Sequence, residues 1–122
     1  MIKLAEKYLT SVTAAGKVKG PNLDCEYYPC HFHGQDCTWC FCPFYPCDDP
    51  QTGGEWIVIA YVERKVWSCS KCNWVHRMEV ASEILKEIFQ LVSESQFNDF
   101  NEIPREKLLK IYFQIKLNHP PR

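Results

Sequence analysis

The sequence has no long apolar run. Its longest uninterrupted stretch, Trp56-Ile57-Val58-Ile59-Ala60-Tyr61-Val62, is far too short to span a bilayer. It has no surplus of charge either: 14 Lys and Arg stand against 15 Asp and Glu, a net charge of -1. Lys3, Lys7, Lys17 and Lys19 make the N-terminal segment locally positive, but this is a solvated surface and not the basic stripe that nucleic-acid binding needs. Nucleic acid is therefore not an expected partner. No glycine-rich loop cradles phosphate, because Gly16, Gly20, Gly53 and Gly54 fit none of the nucleotide fingerprints. No nucleophile–base set, internal repeat or low-complexity tract is present. The opening MIKLAEKYLTSVTAAGKVKG carries Glu6 and Lys7 where a secretory signal needs apolar residues. These absences argue against a membrane span and a nucleotide-dependent enzyme, and they place the chain in the cytoplasm.

What the sequence does have is cysteine: eight, all between Cys25 and Cys72. In a secreted chain they would pair as disulfides, but in a reducing cytoplasm such bonds do not persist and clustered thiols hold metal. The ligand candidates are Cys25, Cys30, His31, Cys37, Cys40, Cys42, Cys47, Cys69, Cys72 and His76, with His33 at the margin as a surface residue. Cysteines separated by two residues wrap one tight turn around an ion, and the amides of that turn stabilise the sulfur charge. Two such turns, Cys37/Cys40 and Cys69/Cys72, are expected to close a tetrahedral site with the intervening β segment as spacer. Cys25, Cys30, Cys42, Cys47 and the histidines then leave a second metal site open. Cys40 and Cys42, only one residue apart, resist division between distant ions. Zinc and a 4Fe-4S cluster each take four thiolates, so the donor set alone does not choose between them. A redox dithiol at Cys69/Cys72 would need a βαβ context and a helix starting at the first cysteine, and neither is visible.

Around this centre the pattern changes along the chain. Residues 2 to 12 suit a short helix with Leu4, Tyr8 and Val12 on one face, broken by Gly16, Gly20 and Pro21. From Asp24 to Pro50 there is little periodicity, and loops and turns are expected. Asp49 to Gly54 is a turn cluster. Glu55 to Trp67 is rich in β formers and reads as one long strand or a hairpin bent near Glu63-Arg64-Lys65. Cys69 to Cys72 is a tight turn. From about Glu79 the period becomes helical: Val80, Ile84, Ile88 and Leu91, with Leu85, Phe89 and Val92, form an apolar stripe. Ser93 to Phe100 is a polar break. A further helix starts at Pro104, with Leu108, Leu109, Tyr112, Phe113 and Ile115 as its apolar side. The expected fold is a small α+β protein: an N-terminal helix and linker over 1–23, a loop-rich cysteine metal-binding domain over 24–77, and a helical region over 78–122.

Three blocks resemble a known family, the cysteine-rich small domain, also called zinc-finger-like. They are Asp24-Cys25-Glu26-Tyr27-Tyr28-Pro29-Cys30-His31; Cys37-Thr38-Trp39-Cys40-Phe41-Cys42-Pro43-Phe44-Tyr45; and Cys69-Ser70-Lys71-Cys72 followed by His76. Where the family places Pro before that last His, this chain has Val75. The blocks span about residues 24 to 77. The resemblance implies a metal-binding domain that occurs alone or fused to cobamide-synthesis enzymes, such as threonine-phosphate decarboxylase-like proteins, especially in anaerobic archaea and bacteria. That setting puts iron–sulfur on a par with zinc. The expected function is a non-enzymatic accessory protein whose metal centre is structural, redox-active or oxygen-sensing. Its helical tail, and with it the N-terminal helix, docks onto a larger, corrinoid-related enzyme complex. The competing readings are an enzyme part in cobamide biosynthesis with an open metal position, and a small iron–sulfur electron carrier.

Overall fold

The computed structural model describes residues 3–15, 17–94 and 102–121. It is α+β, as expected. Helix α1 (Lys3–Ala15) is followed by strands β1 (Glu55–Ile59) and β2 (Arg64–Ser68), then by helices α2 (Met78–Glu94) and α3 (Arg105–Asn118). Between α1 and Pro50 no described residue lies in a helix or strand. That follows from a stretch whose cysteines, prolines and aromatics share neither a helical nor a strand period.

The strand pair is an antiparallel hairpin with Trp56 opposite Trp67 and Ile59 opposite Arg64. Its turn occupies residues 60–63, slightly ahead of the bend anticipated at Glu63-Arg64-Lys65, and Glu63 takes a φ of +49° there. The turn cluster before β1 is a single 3₁₀ turn over Pro50–Thr52, opened by the Asp49 carboxylate, which accepts from the Gln51 amide at 3.0 Å. Gly53 closes it at φ +101°, a conformation that excludes a side chain on its own account. A Cβ at Gly53 would also sit 2.3 Å from the Lys71 carbonyl oxygen, and one at Gly54 2.4 Å from the Trp67 indole. The two glycines thus let this turn close against the Cys69–Cys72 turn and β2.

One hydrophobic core draws on the N-terminal, cysteine-rich and C-terminal stretches together. From α1 it takes Ala5, Leu9 and Val12, residues spaced to share one helix face. Leu4, expected on that face, is 49% exposed, because the helix is rotated to bring Leu9 inward. The Tyr8 side chain lies outside the described residues. From α2 come Val80, Ala81, Ile84, Leu85 and Ile88, with Phe89, Leu91 and Val92 half-buried, so the predicted stripe holds. The polar break begins later than Ser93, since α2 runs to Glu94; the rest of it, to Phe100, is outside the described residues. Pro104 caps α3 instead of starting it. From α3 the core takes Leu108, Tyr112 and Ile115, whereas Phe113 is 56% exposed and belongs to the outer face.

These helices pack onto Trp39, Phe44, Trp74 and Val75 of the cysteine-rich segment. The indole N–H of Trp39 donates to the Ala81 carbonyl at 3.2 Å, and that of Trp74 to the His119 carbonyl at 2.7 Å. The apolar faces expected to dock onto another protein are therefore turned inward. The apolar side chains left outside include Trp56, Ile57, Val58, Tyr61 and Val62 of the hairpin.

Ile84→Ala removes a fully buried side chain and is expected to cost about 2–5 kcal/mol in urea unfolding. Phe113→Ala is expected to stay within about 0.5 kcal/mol. Equal losses at the two positions would contradict this core.

Candidate metal centre

By the thiols that act on one another, the cysteines fall into two sets of four. Cys40 has Cys37, Cys30 and Cys25 as its thiol neighbours. Cys42 has Cys69, Cys72 and Cys47. By these neighbours the Cys37/Cys40 turn falls in a different set from the Cys69/Cys72 turn with which it was expected to share an ion, although Cys40, Cys42 and Cys69 still line one hollow. The physical reason lies in how each turn is tied down.

The first group is tied to the linker after α1. Asp36, buried, accepts from the Gly20 amide at 2.9 Å and the Thr38 amide at 2.8 Å. The Thr38 hydroxyl accepts from the Lys19 amide at 2.8 Å, and the Cys37 amide donates to the Gly20 carbonyl at 3.0 Å. Cys25 opens a turn through its carbonyl, which accepts from the Tyr28 amide at 3.1 Å. Buried Gln35 sits among the sulfurs, its side-chain N–H group 3.4 Å from Cys30 Sγ and 3.9 Å from Cys37 Sγ. The Asn22 amide donates to Cys37 Sγ at 3.4 Å.

The second group is tied to α3 and the glycine turn. The loop carrying Cys42 and Cys47 is gripped by Arg105, whose guanidinium donates to the carbonyls of Phe44, Tyr45 and Pro46. Just beyond it, the Tyr112 hydroxyl and the Lys116 ammonium donate to the Asp49 carboxylate. Burial pushes that carboxyl up, but Lys116, Tyr112 and the Gln51 amide together outweigh it and hold it below its ordinary range. On the other side the Cys72 amide donates to the Cys69 carbonyl at 3.0 Å, closing the predicted turn. A cavity of ≈ 50 Å³ lies within this group, walled by its four cysteines with Thr52 and Tyr112. Cys40 and His31 also reach its wall.

Among the described residues, no three His, Cys, Asp or Glu side chains are placed closely enough to hold a metal ion as they stand. The chemistry around the sulfurs nevertheless suits thiolates. Burial first, then the neighbouring cysteines, pushes Cys40 up to about 11, with Lys19 opposing. Burial and then Cys72 and Cys47 push Cys69 up to about 11, against Trp67. Burial drives Cys42 well above its ordinary value despite the Phe44 amide, which donates to its sulfur at 3.4 Å. Cys72 is raised by burial although the Thr52 hydroxyl and the amides of Trp74 and Val75 face it. These donors are what a thiolate requires, and the missing element is positive charge, which a bound cation supplies. Trp67 makes the same point. Its indole N–H is buried and directed at the Cys69 sulfur, outside the geometry of a full hydrogen bond. A thiol is a weak acceptor and a thiolate a strong one, so metal-bound sulfur would satisfy a donor that otherwise costs about 1–3 kcal/mol. The residues present fit a thiolate-ligated metal.

The histidines lie between the groups. His31 and His76 stack with ring centroids 4.0 Å apart. His76 is buried and donates from Nδ1 to the Asp36 carbonyl at 3.0 Å. Burial, then the adjacent His31, pushes His76 down to about 4, against the pull of Asp36. It is therefore a neutral imidazole at neutral pH. His33 is exposed, edge-on to Tyr28, as its marginal reading anticipated.

Sequence reasoning missed Gln35, Asp36, Thr52, Trp67, Arg105 and the Asp49–Tyr112–Lys116 cluster. None of these residue types is scarce on a surface, and their partners are distant in sequence. The Gly53-Gly54 pair was the one local sign that something approached closely there.

Two relatives place this arrangement. An uncharacterized protein of Methanocaldococcus jannaschii is 45% identical over 128 residues, covering all of both chains. A probable cobalt-factor III C(17)-methyltransferase of Methanothermobacter thermautotrophicus is 45% identical over 78 residues, which cover 64% of this chain and 21% of that longer protein. No solved structure matches. The family match extends beyond the motif blocks at 24–77 to take in most of the linker and all of α2. Over residues 17–99 this chain matches the zinc-finger-like cysteine-rich small domain, and it belongs to that family.

Proposed function

We propose that the chain is a non-enzymatic module, structured by two zinc ions, that works beside a cobamide-synthesis methyltransferase. Cys25, Cys30, Cys37 and Cys40 hold one ion, and Cys42, Cys47, Cys69 and Cys72 the other. The observation that carries this reading is the division of the thiols into two sets of four. Four thiolates close a tetrahedral shell and leave no position for water or substrate, which favours a structural over a catalytic role. His31 and His76 are then supports and not ligands. The ≈ 50 Å³ cavity in the second group offers a few water-sized places.

The ions would supply the order that the segment from Gly20 to Pro50 lacks. Thiolates that repel one another without a cation become its shell, contributing roughly 10 kcal/mol or more of folding free energy for each structural site.

The association with an enzyme rests on the Methanothermobacter relative. A stretch like this chain is there part of a protein named as a cobalt-factor methyltransferase. Where the module is not joined to such an enzyme in one chain, it would meet it by docking. With the buried stripes of the helices committed to the core, the hairpin side chains Trp56, Val58 and Tyr61 offer a contiguous apolar surface for such an enzyme to cover.

Anaerobically purified protein is expected to be colourless and to carry about two zinc ions per chain. A brown protein with iron and acid-labile sulfide would replace zinc by a cluster, and a reversible potential would then favour the electron carrier. Cys37→Ser and Cys25→Ser are expected to lose the same ion, so the double variant retains about one zinc. If that double variant retained none, the division would be wrong. Stripping zinc with a chelator is expected to abolish the cooperative thermal transition followed by near-UV circular dichroism. The protein is also expected to bind a purified cobalt-factor methyltransferase from its own organism, and Trp56→Ser with Tyr61→Ser to weaken that binding roughly tenfold or more. Unchanged binding would move the docking face elsewhere.

A further inference from the structure

The two thiol groups are joined by side chains that belong to neither. The backbone N–H of His31 donates to the Gln35 side-chain carbonyl at 2.8 Å, and Nδ1 of His31 lies 3.3 Å from Cys30 Sγ. Across the gap, Nε2 of His31 lies 3.2 Å from the Cys69 carbonyl oxygen. A carbonyl only accepts, so Nε2 carries the proton and donates. One imidazole therefore touches a sulfur of the first group and the backbone of a cysteine in the second.

A second link runs alongside. Asp36, the residue before Cys37, donates its amide to the His76 carbonyl at 2.7 Å, and its own carbonyl accepts from Nδ1 of His76. His76 belongs to the 3₁₀ turn Trp74–His76 that follows Cys72. The two links are pressed together by the ring contact between His31 and His76. Each connects a turn that must tighten on one ion to a turn that must tighten on the other.

We infer that the His31–His76 pair is a brace that couples the two metal sites, so that filling one organises the other. This inference rests on the two-site reading above. Coupling of this kind needs a contiguous packed network with two discrete arrangements, here the loose and the drawn-in cysteine turns. Linkage makes it reciprocal: whichever ion binds first raises the affinity for the other by the same factor, typically about 5- to 150-fold. His31 and His76 are positioning residues in this scheme, acting through the turns they hold.

The test is a zinc titration of the metal-free full chain, followed by native mass spectrometry that counts chains with no ion, one ion or two. Independent sites of equal affinity leave roughly one half of chains singly loaded at half-saturation, and tenfold coupling reduces this to roughly one quarter. The native chain is expected to show the reduced population. His31→Phe keeps a ring of similar size but loses both nitrogens. It is expected to reach the same plateau while the singly loaded form rises towards the uncoupled value. His76→Phe cuts the parallel link and provides the same comparison if His31→Phe fails to fold. Singly loaded populations in both variants identical to the native one would overturn the brace. A plateau that falls to one ion in His31→Phe would make His31 a ligand and also overturn it. A native plateau below two ions would instead sink the two-site reading itself.

Discussion

The loop that carries Cys42 and Cys47 has no hydrogen-bond ladder of its own, and α3 holds it from outside. Arg105 gathers consecutive carbonyls at the loop's centre, while Tyr112 and Lys116 take the Asp49 carboxylate at its end. Backbone polar groups in irregular chain must find partners somewhere, and here a helix far along the sequence provides them. The same helix buries Leu108, Tyr112 and Ile115 in the core, so its grip on the loop is anchored by packing. A C-terminal region that looks like an appendage is thereby part of the scaffold of the cysteine centre.

The first group is held by a different device, built from polar contacts to the linker after α1. Buried Asp36 and Thr38 fasten the Cys37 turn to Lys19 and Gly20, and Gln35 reaches two sulfurs from within. Because one group is fastened to the linker after α1 and the other to α3 and the glycine turn, Cys40 and Cys42 have different thiol neighbours despite their proximity in sequence. Adjacency along a chain constrains where two side chains start, not where they point. In extended or turning backbone, residues two apart can face different neighbours once tertiary contacts set the local geometry.

Electrostatics then explains why both groups suit a cation. Thiols crowded together and buried resist ionisation, and each of those most affected is raised chiefly by burial. Yet amide, hydroxyl and indole N–H donors are directed at the same sulfurs. Donors that favour thiolate, in surroundings that penalise isolated negative charge, make a site whose balance a positive ion completes. The neutral His76 between the groups, with its proton committed to the Asp36 carbonyl, adds no opposing charge.

Much of this protein was determined by its sequence alone. The α2 stripe from Val80 to Ile88, the β character of Glu55 to Trp67, the turn at Asp49 to Gly54 and the lack of regular structure from Asp24 to Asp49 follow from local period, propensity and turn chemistry, which need no knowledge of distant residues. The cysteine blocks likewise disclosed both the family and a thiol-rich centre. Only the tertiary structure decided which thiols act on one another, that Leu9 and not Leu4 faces inward, and that α2 and α3 pack an apolar face over the cysteine-rich segment. Those outcomes depend on contacts such as Arg105 to Phe44 and Trp74 to His119, between residues far apart in the chain. A pattern of spacings carries no information about which of several sterically allowed pairings burial and hydrogen bonding will favour.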